Sequence, residues 1–282
     1  MDNKIYLNIL GKIPEVKKQG ADYIKSGLIY CGKCNTPKQY KTAIKINQET
    51  YPVVLPVLCK CQMEERCRRE EKEILKAKIR HIEFLRQNSM MSDKDLKLKL
   101  SDIHENADNK HIKTLSVKYV DKFDEMQKKN QGLLFYGDVG TGKTYTASCI
   151  ASELIRREKA VIMNCTAEFL RLLQSFDTAN NVSERLNNCL LLIIDDLGSE
   201  RDTSFAYEKI YGIIDNRYRA GKPVIITTNM SINEMQIEPA IQKRRIYERI
   251  LETCYPIRFQ GLSYRKKQAN ARFEEMREFI NA

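Results

Sequence analysis

The stretch Gly137-Asp138-Val139-Gly140-Thr141-Gly142-Lys143-Thr144 decides the fold of this 282-residue chain. It reads G-x-x-x-x-G-K-T. Before it, Gly132-Leu133-Leu134-Phe135-Tyr136 is an apolar run the length of one buried strand. After it, Tyr145 to Arg157 carries apolar residues at helical spacing. Strand, glycine loop and helix are the setting in which this pattern binds phosphate. Glycines let successive backbone N–H groups turn toward one anion, and a helix starting near Lys143 aims its positive end at the same place. The loop is therefore assigned to ATP: Gly137, Asp138, Val139, Gly140, Thr141 and Gly142 cradle it, Lys143 reaches its β- and γ-phosphates, and the Thr144 hydroxyl holds Mg2+.

Downstream the pattern alternates. Strands are predicted at Ala160–Asn164, Leu190–Asp195, Pro223–Thr228 and Pro256–Phe259, and helices at Ala167–Phe176, Phe205–Tyr218 and Ile241–Thr253. A further helix, Val117–Met126, leads into the first strand. Strands apolar on both faces and separated by helices predict an α/β fold with a covered parallel sheet. Asp195 ends an almost wholly apolar strand, where a carboxylate can hold Mg2+ beside the phosphates. Asp196 follows it and is a candidate to orient the attacking water; Glu200 is a second. Asn229 ends the Thr227-Thr228-Asn229 strand and either senses the γ-phosphate or caps the helix that starts near Ser231. Arg245 and Arg249 lie four apart on one helix face, suited to a neighbouring subunit's γ-phosphate or to a solvated basic surface. Arg265, past the last strand, is a candidate to reach its own nucleotide.

The front end reads differently. Residues 1–30 form a basic, partly helical lead-in. Cys31-Gly32-Lys33-Cys34 and Cys59-Lys60-Cys61 are two close pairs separated by a hairpin-like insert, with strands expected at Gln39–Thr42 and Val53–Leu55. That layout fits a zinc ribbon with Cys31, Cys34, Cys59 and Cys61 as ligands; Cys67 is an alternative to Cys61, and packed free thiols are the alternative to a metal site. Residues 62–99 are dominated by Glu, Lys and Arg, with Ile74, Leu75, Ile79, Ile82 and Leu85 at helical spacing, as in a long charged helix that either connects domains or binds a partner. The expected organisation is a zinc-binding, partner-interaction domain over 1–90, a linker over 91–112 and the nucleotide-binding domain over 113–282. His81, His104 and His111 are scattered and carry no assigned role.

Composition narrows the classes. Hydrophobic residues make up 42% of the chain, enough for a sizeable core, and the net charge of +11 suits a polyanionic partner. No run approaches the roughly 20 apolar residues of a membrane span, and residues 1–10 do not read as a leader. A cytoplasmic protein is expected, its nine cysteines serving as metal ligands or free thiols.

Taken in order, the loop 137–144, Ile194-Asp195-Asp196-Leu197-Gly198-Ser199-Glu200, Thr227-Thr228-Asn229, Arg245/Arg249 and Gly261-Leu262-Ser263-Tyr264-Arg265 resemble the DnaC/DnaI-type replicative helicase loaders. These are the branch of AAA+ ATPases that also contains the transposition helper IstB. The resemblance covers roughly residues 113–270, and the cysteine-rich front end is similar to the zinc-bearing N-terminal domains of that group. It implies a P-loop AAA+ sheet with a truncated lid, since only a short tail follows Arg265. It also implies slow ATP hydrolysis, stimulated by DNA or a partner, with Asn229 at the sensor-1 position, Arg245 and Arg249 as arginine fingers and Arg265 as a sensor-2 arginine. The implied partners are a replicative DNA helicase, single-stranded DNA and further copies of the chain joined through their ATP sites. Asp196 departs from loaders that carry Glu there, which leaves the catalytic carboxylate open. An IstB-like helper of transposition is the nearest rival reading. A P-loop kinase fits less well, because it gives no reason for the Asn229 and Arg245/Arg249 set; a non-hydrolysing DNA-binding switch is a third alternative.

Overall fold

A computed structural model describes residues 13–46, 49–103, 110–174, 176–261 and 263–281. The lead-in residues 1–12, His104 and Leu262 lie outside the described residues. The chain divides into two compact units, Met1–Ile79 and Arg80–Ala282.

In the first unit, β1 (Tyr23–Lys25) pairs antiparallel with β2 (Leu28–Tyr30), and β3 (Gln39–Ile46) with β4 (Glu49–Pro56). Both expected strands of the insert are present and longer than the sequence suggested. Little of this unit is apolar and buried: among its described residues only Cys31, Val53 and Cys59 are. A module of that kind has too small a core to fold on burial alone. Helix α1 (Lys60–Asn88) follows. It is charged over most of its length, and Ile74, Leu75 and Ile79 are exposed, whereas Leu85 is buried in the second unit's core.

The second unit is a five-stranded parallel sheet. Its strands are β5 (Gly132–Gly137), β6 (Val161–Cys165), β7 (Leu191–Leu197), β8 (Val224–Thr228) and β9 (Cys254–Phe259), in the spatial order β6-β7-β8-β5-β9. Successive side chains on a strand point to opposite faces. Leu133, Phe135, Leu191, Ile193 and Ile225 therefore enter one core with α2 (Lys110–Asp121) and α4 (Lys143–Arg156). Leu134, Leu192, Ile194 and Ile226 enter the other with α5 (Thr166–Gln174), α6 (Phe176–Asn188), α7 (Ser204–Arg219) and α9 (Ile241–Thr253). Short helices α3 (Phe123–Lys128) and α8 (Ile232–Gln236) and a final α10 (Tyr264–Asn281) complete it. The predicted strands are all present; α6 is an element the sequence reading did not name.

The described front part of the stretch expected as a linker, residues 91–103, is built into this unit. Leu96, Leu100 and Ile103 are buried in its core, Ser152 Oγ donates to Leu96 O at 2.7 Å, and the Arg156 guanidinium donates to Leu98 O. The polar break at Asn88–Asp93 resembles a linker because the apolar residues beyond it, Leu96, Leu98 and Leu100, alternate with lysines over too short a run to mark a helix. Among the described residues no helix is long and apolar enough to cross a membrane.

One side chain ties the sheet's other end. Arg217 on α7 is almost wholly buried and donates to four carbonyls: Leu186 O at 3.1 Å, Cys189 O at 2.7 Å, Leu190 O at 3.0 Å and Pro223 O at 2.8 Å. Leu186 is in the last turn of α6, and the other three lie at the entrances to β7 and β8, at the end of the sheet opposite the nucleotide loop.

Candidate nucleotide site and cysteine centre

The strand order sets the site. β8 lies between β5, which ends in the phosphate loop, and β7, which ends in Asp195. A side chain just past β8 therefore stands between the two. Asn229 occupies that place: Lys143 Nζ donates to its Oδ1 at 2.8 Å, and its Nδ2 donates to Asp196 Oδ1 at 3.1 Å. Asn229 caps nothing, because Ser231 forms its own capping box with Glu234.

Lys143 Nζ also donates to Gly137 O at 2.6 Å and Asp138 O at 2.7 Å. Burial lowers its pKa, against the charges of Asp196 and Asp138, which raise it. Thr141 Oγ1 donates to Asp138 O at 2.7 Å and ties the loop to itself. Val139 is exposed at its tip. The glycines are needed for space as well as conformation. A Cβ on Gly137 would lie 2.1 Å from Phe259 O, and one on Gly140 2.2 Å from Ser263 Oγ. Tyr264 N donates to Gly140 O at 2.9 Å, so the entry to α10 is bonded to the loop. Arg265, one residue on, is exposed, and its charge lowers the pKa of both Lys143 and Asp195.

Thr144 Oγ1 donates to Asp195 Oδ1 at 2.8 Å, so the hydroxyl and carboxylate expected to share Mg2+ are in contact. Hard oxygen donors of this kind, one neutral and one anionic, fit the ion. Burial raises the Asp195 pKa; hydrogen bonds from Thr227 and Thr144 act in the opposite direction. Asp196 has φ of 57°, and the β7–β8 pairing shifts register between Ile194 and Leu197. Glu200, the other candidate carboxylate, accepts from Gly198 N at 2.8 Å.

The two arginines of α9 have different surroundings. Arg249 pairs with Asp215 at 2.6 Å and lies over the rings of Tyr211 and Tyr218, all within its own chain. Arg245 is exposed. Their spacing places both on one helix face; it does not reveal that Asp215 on α7 engages one of them. Thr227 and Ser263 stand in the motifs of the sequence without a role of their own there, and Arg217 does not stand out in it. The one available signal was a pair of threonines ending an apolar strand.

In the first unit the sulfurs of Cys31, Cys34, Cys59 and Cys61 lie within 4.8 Å of one another. Cys67 is exposed and outside the group. Gly32 turns the first knuckle where a Cβ would meet Ala21 O at 2.1 Å. Backbone N–H groups of Cys34 and Lys33 lower the Cys31 pKa. Cys34 is lowered to about 5, first by the Thr36 hydroxyl and then by the Cys61 backbone. Cys61 is pushed up to about 12 by its thiol neighbours Cys59 and Cys31. Four sulfurs crowded this closely resist ionising together without a cation. Zn2+ satisfies that donor set, and a ligand set of four cysteines is that of a structural site.

A phosphate loop, a strand-end aspartate against the loop's threonine, and an asparagine on the strand between them define a P-loop nucleotide-binding domain of the AAA+ type. The profile of the IstB-like ATP-binding proteins matches residues 47–271, and the chain belongs to that family. It is 30% identical over 146 residues to the replicative helicase loader DnaI of Bacillus subtilis, covering 47% of each chain. It is 30% identical over 122 residues to the replicative helicase loader DnaC of Escherichia coli, covering 42% of this chain and 49% of that one. An ATP-binding protein of a Mycobacterium tuberculosis insertion sequence is 26% identical over 147 residues, covering 50% of this chain and 59% of the relative. The matches thus span about half the length of these relatives. Among solved structures, that of DnaI superposes with a TM-score of 0.54 at 27% identity, covering 61% of this chain and 95% of that one. The DnaC helicase loader superposes with a TM-score of 0.51 at 26% identity, covering 60% and 100%.

Proposed function

We propose that this chain hydrolyses ATP slowly and uses the nucleotide cycle to place a replicative DNA helicase on single-stranded DNA in the cytoplasm. The observation that carries the reading is the hydrogen-bonded group Lys143–Asn229–Asp196 beside Thr144–Asp195, in a chain similar to DnaI and DnaC. Lys143 and the loop amides bind the phosphates. Thr144 and Asp195 hold Mg2+, which supplies positive charge to the phosphate oxygens. Asp196, oriented by Asn229, positions the attacking water. Arg265 adds charge to its own site, and exposed Arg245 serves the γ-phosphate of the next subunit, so ATP joins copies of the chain. Arg249 holds α9 in place through Asp215. The cysteine centre keeps the first unit folded around zinc, and that unit contacts the helicase. The functional division is 1–90, 91–112 and 113–282, with Leu96, Leu100 and Ile103 of the middle stretch packed in the ATPase core.

The insertion-sequence relative supports a second reading, an ATPase helper of transposition. The two differ in partner. The test is co-elution of the purified chain with the replicative helicase of its source, with and without ATP, followed by unwinding of a fork on closed circular single-stranded DNA. Loading predicts an ATP-dependent complex and stimulated unwinding. Binding to a transposase with no effect on the helicase overturns loading in favour of the helper.

A further inference from the structure

Thr227 is one of the most deeply buried polar residues of the second unit, and its hydroxyl is bonded on both sides. Its Oγ1 donates to Asp195 Oδ1 at 2.6 Å and accepts from Asp196 N at 2.8 Å. The second bond has a topological cause. Ile194 pairs with Ile226 and Leu197 with Thr228, so β7 spends one residue more than β8 between those rungs. A bulge of this kind removes a backbone group from the ladder. The half-buried Asp196 N–H so released needs another acceptor. The Thr227 hydroxyl is that acceptor. The same bulge places Asp196 at φ of 57°, with its carboxylate on Asn229 Nδ2.

The geometry points to Thr227 as a positioning residue that sets both carboxylates of the site. Its donated bond orients the Asp195 oxygen that Thr144 also contacts. Its accepted bond holds the bulge that presents Asp196 to Asn229. One hydroxyl, with one proton and two lone pairs, supplies both. Valine has nearly the same shape and supplies neither; serine keeps both. This inference rests on the ATPase reading above, in which Asp195 holds Mg2+ and Asp196 orients water.

The test compares Thr227→Val and Thr227→Ser in the full chain. The first readout is binding of a fluorescent ATP analogue as a function of Mg2+. The second is steady-state hydrolysis with single-stranded DNA present. Groups that orient a metal ligand typically contribute about 10–100-fold in metal affinity or activity. Thr227→Val is expected to leave analogue affinity without Mg2+ within about 2-fold, to raise the Mg2+ needed for half-maximal effect by about 10-fold, and to lower kcat more than it raises KM. Thr227→Ser is expected to restore both to within about 3-fold of wild type. Equal Mg2+ dependence in wild type and Thr227→Val overturns the inference. So does a loss of Mg2+-free binding that serine does not repair, since that marks a folding role only. If the wild type binds the analogue with Mg2+ but hydrolyses nothing, the ATPase reading falls while the Mg2+ titration still decides Thr227.

Discussion

Replacing Arg217 by methionine keeps the aliphatic stem and removes the guanidinium that ties β7 to β8. Four carbonyl oxygens lose a charged donor at 2.7–3.1 Å. A hydrogen bond to a charged group contributes about 1.5–3 kcal/mol. Four at that rate overstate the loss, because burial lowers the Arg217 pKa and thus already costs the charged form stability. Methionine also relieves Arg217 Nε, which has no partner among the described residues. Each buried carbonyl left without a donor costs about 1–3 kcal/mol, and with the relief of the buried charge set against four of them a net loss of about 3–5 kcal/mol is expected. For a unit of about 200 residues each kcal/mol lowers Tm by about 2–4 °C, so a fall of about 6–20 °C follows. The assay is urea unfolding of wild type, Arg217→Met and Arg217→Lys, followed by tyrosine fluorescence and far-UV circular dichroism. Lysine, a single point donor, should fall between the other two. A loss under about 1 kcal/mol for methionine, or lysine matching wild type, would refute the argument that the guanidinium's fork holds the strand entrances together.

Lys143→Ala should lose nucleotide binding, and Asp195→Asn should bind nucleotide yet lose at least about 10-fold in Mg2+-dependent turnover, both measured by phosphate release and calorimetry. Elemental analysis should give one zinc per chain; Cys34→Ser should lower that content, while Cys67→Ser leaves it unchanged. Chelation should abolish structure over residues 31–67 but leave unfolding of the second unit in place, because the metal holds only the first. Arg245→Ala should bind nucleotide normally but lose hydrolysis or ATP-dependent self-association, and adding Lys143→Ala, which retains its own Arg245, should partly restore it; loss of nucleotide binding by an isolated Arg245→Ala monomer would place the arginine in its own site. Arg249→Ala should instead lower stability of the monomer, through the Asp215 pair and the two tyrosine rings, which unfolding measurements will show.

The parallel sheet was legible because its strands are apolar on both faces, and few other arrangements bury Leu191–Ile194 and Val224–Ile226 completely. The phosphate loop, Asp195 and Asn229 were legible because their chemistry recurs at strand ends, where the backbone leaves polar groups exposed. Other parts depend on partners distant in sequence. That Arg249 meets Asp215 follows from how α9 packs on α7. That residues 96–103 are anchored rather than free follows from how Leu96, Leu100 and Ile103 meet the core and from a hydroxyl on Ser152. The roles of Thr227 and Arg217 follow from where a bulge and two strand entrances leave backbone groups in need of partners, and local pattern carries no record of that.

The left-handed backbone at Asp196 limits which side chains that position accepts. Short residues whose polar groups bond locally enter this region at least cost; a longer acidic side chain enters it with a penalty of about 1–2 kcal/mol. The main chain at this place thus favours the short acid as well as accommodating it. Exchanging Asp196 for glutamate alone would strain the turn and carry the carboxylate past Asn229. A longer acid here would therefore fit best together with a change in the bulge of residues 194–197 that the Thr227 hydroxyl holds.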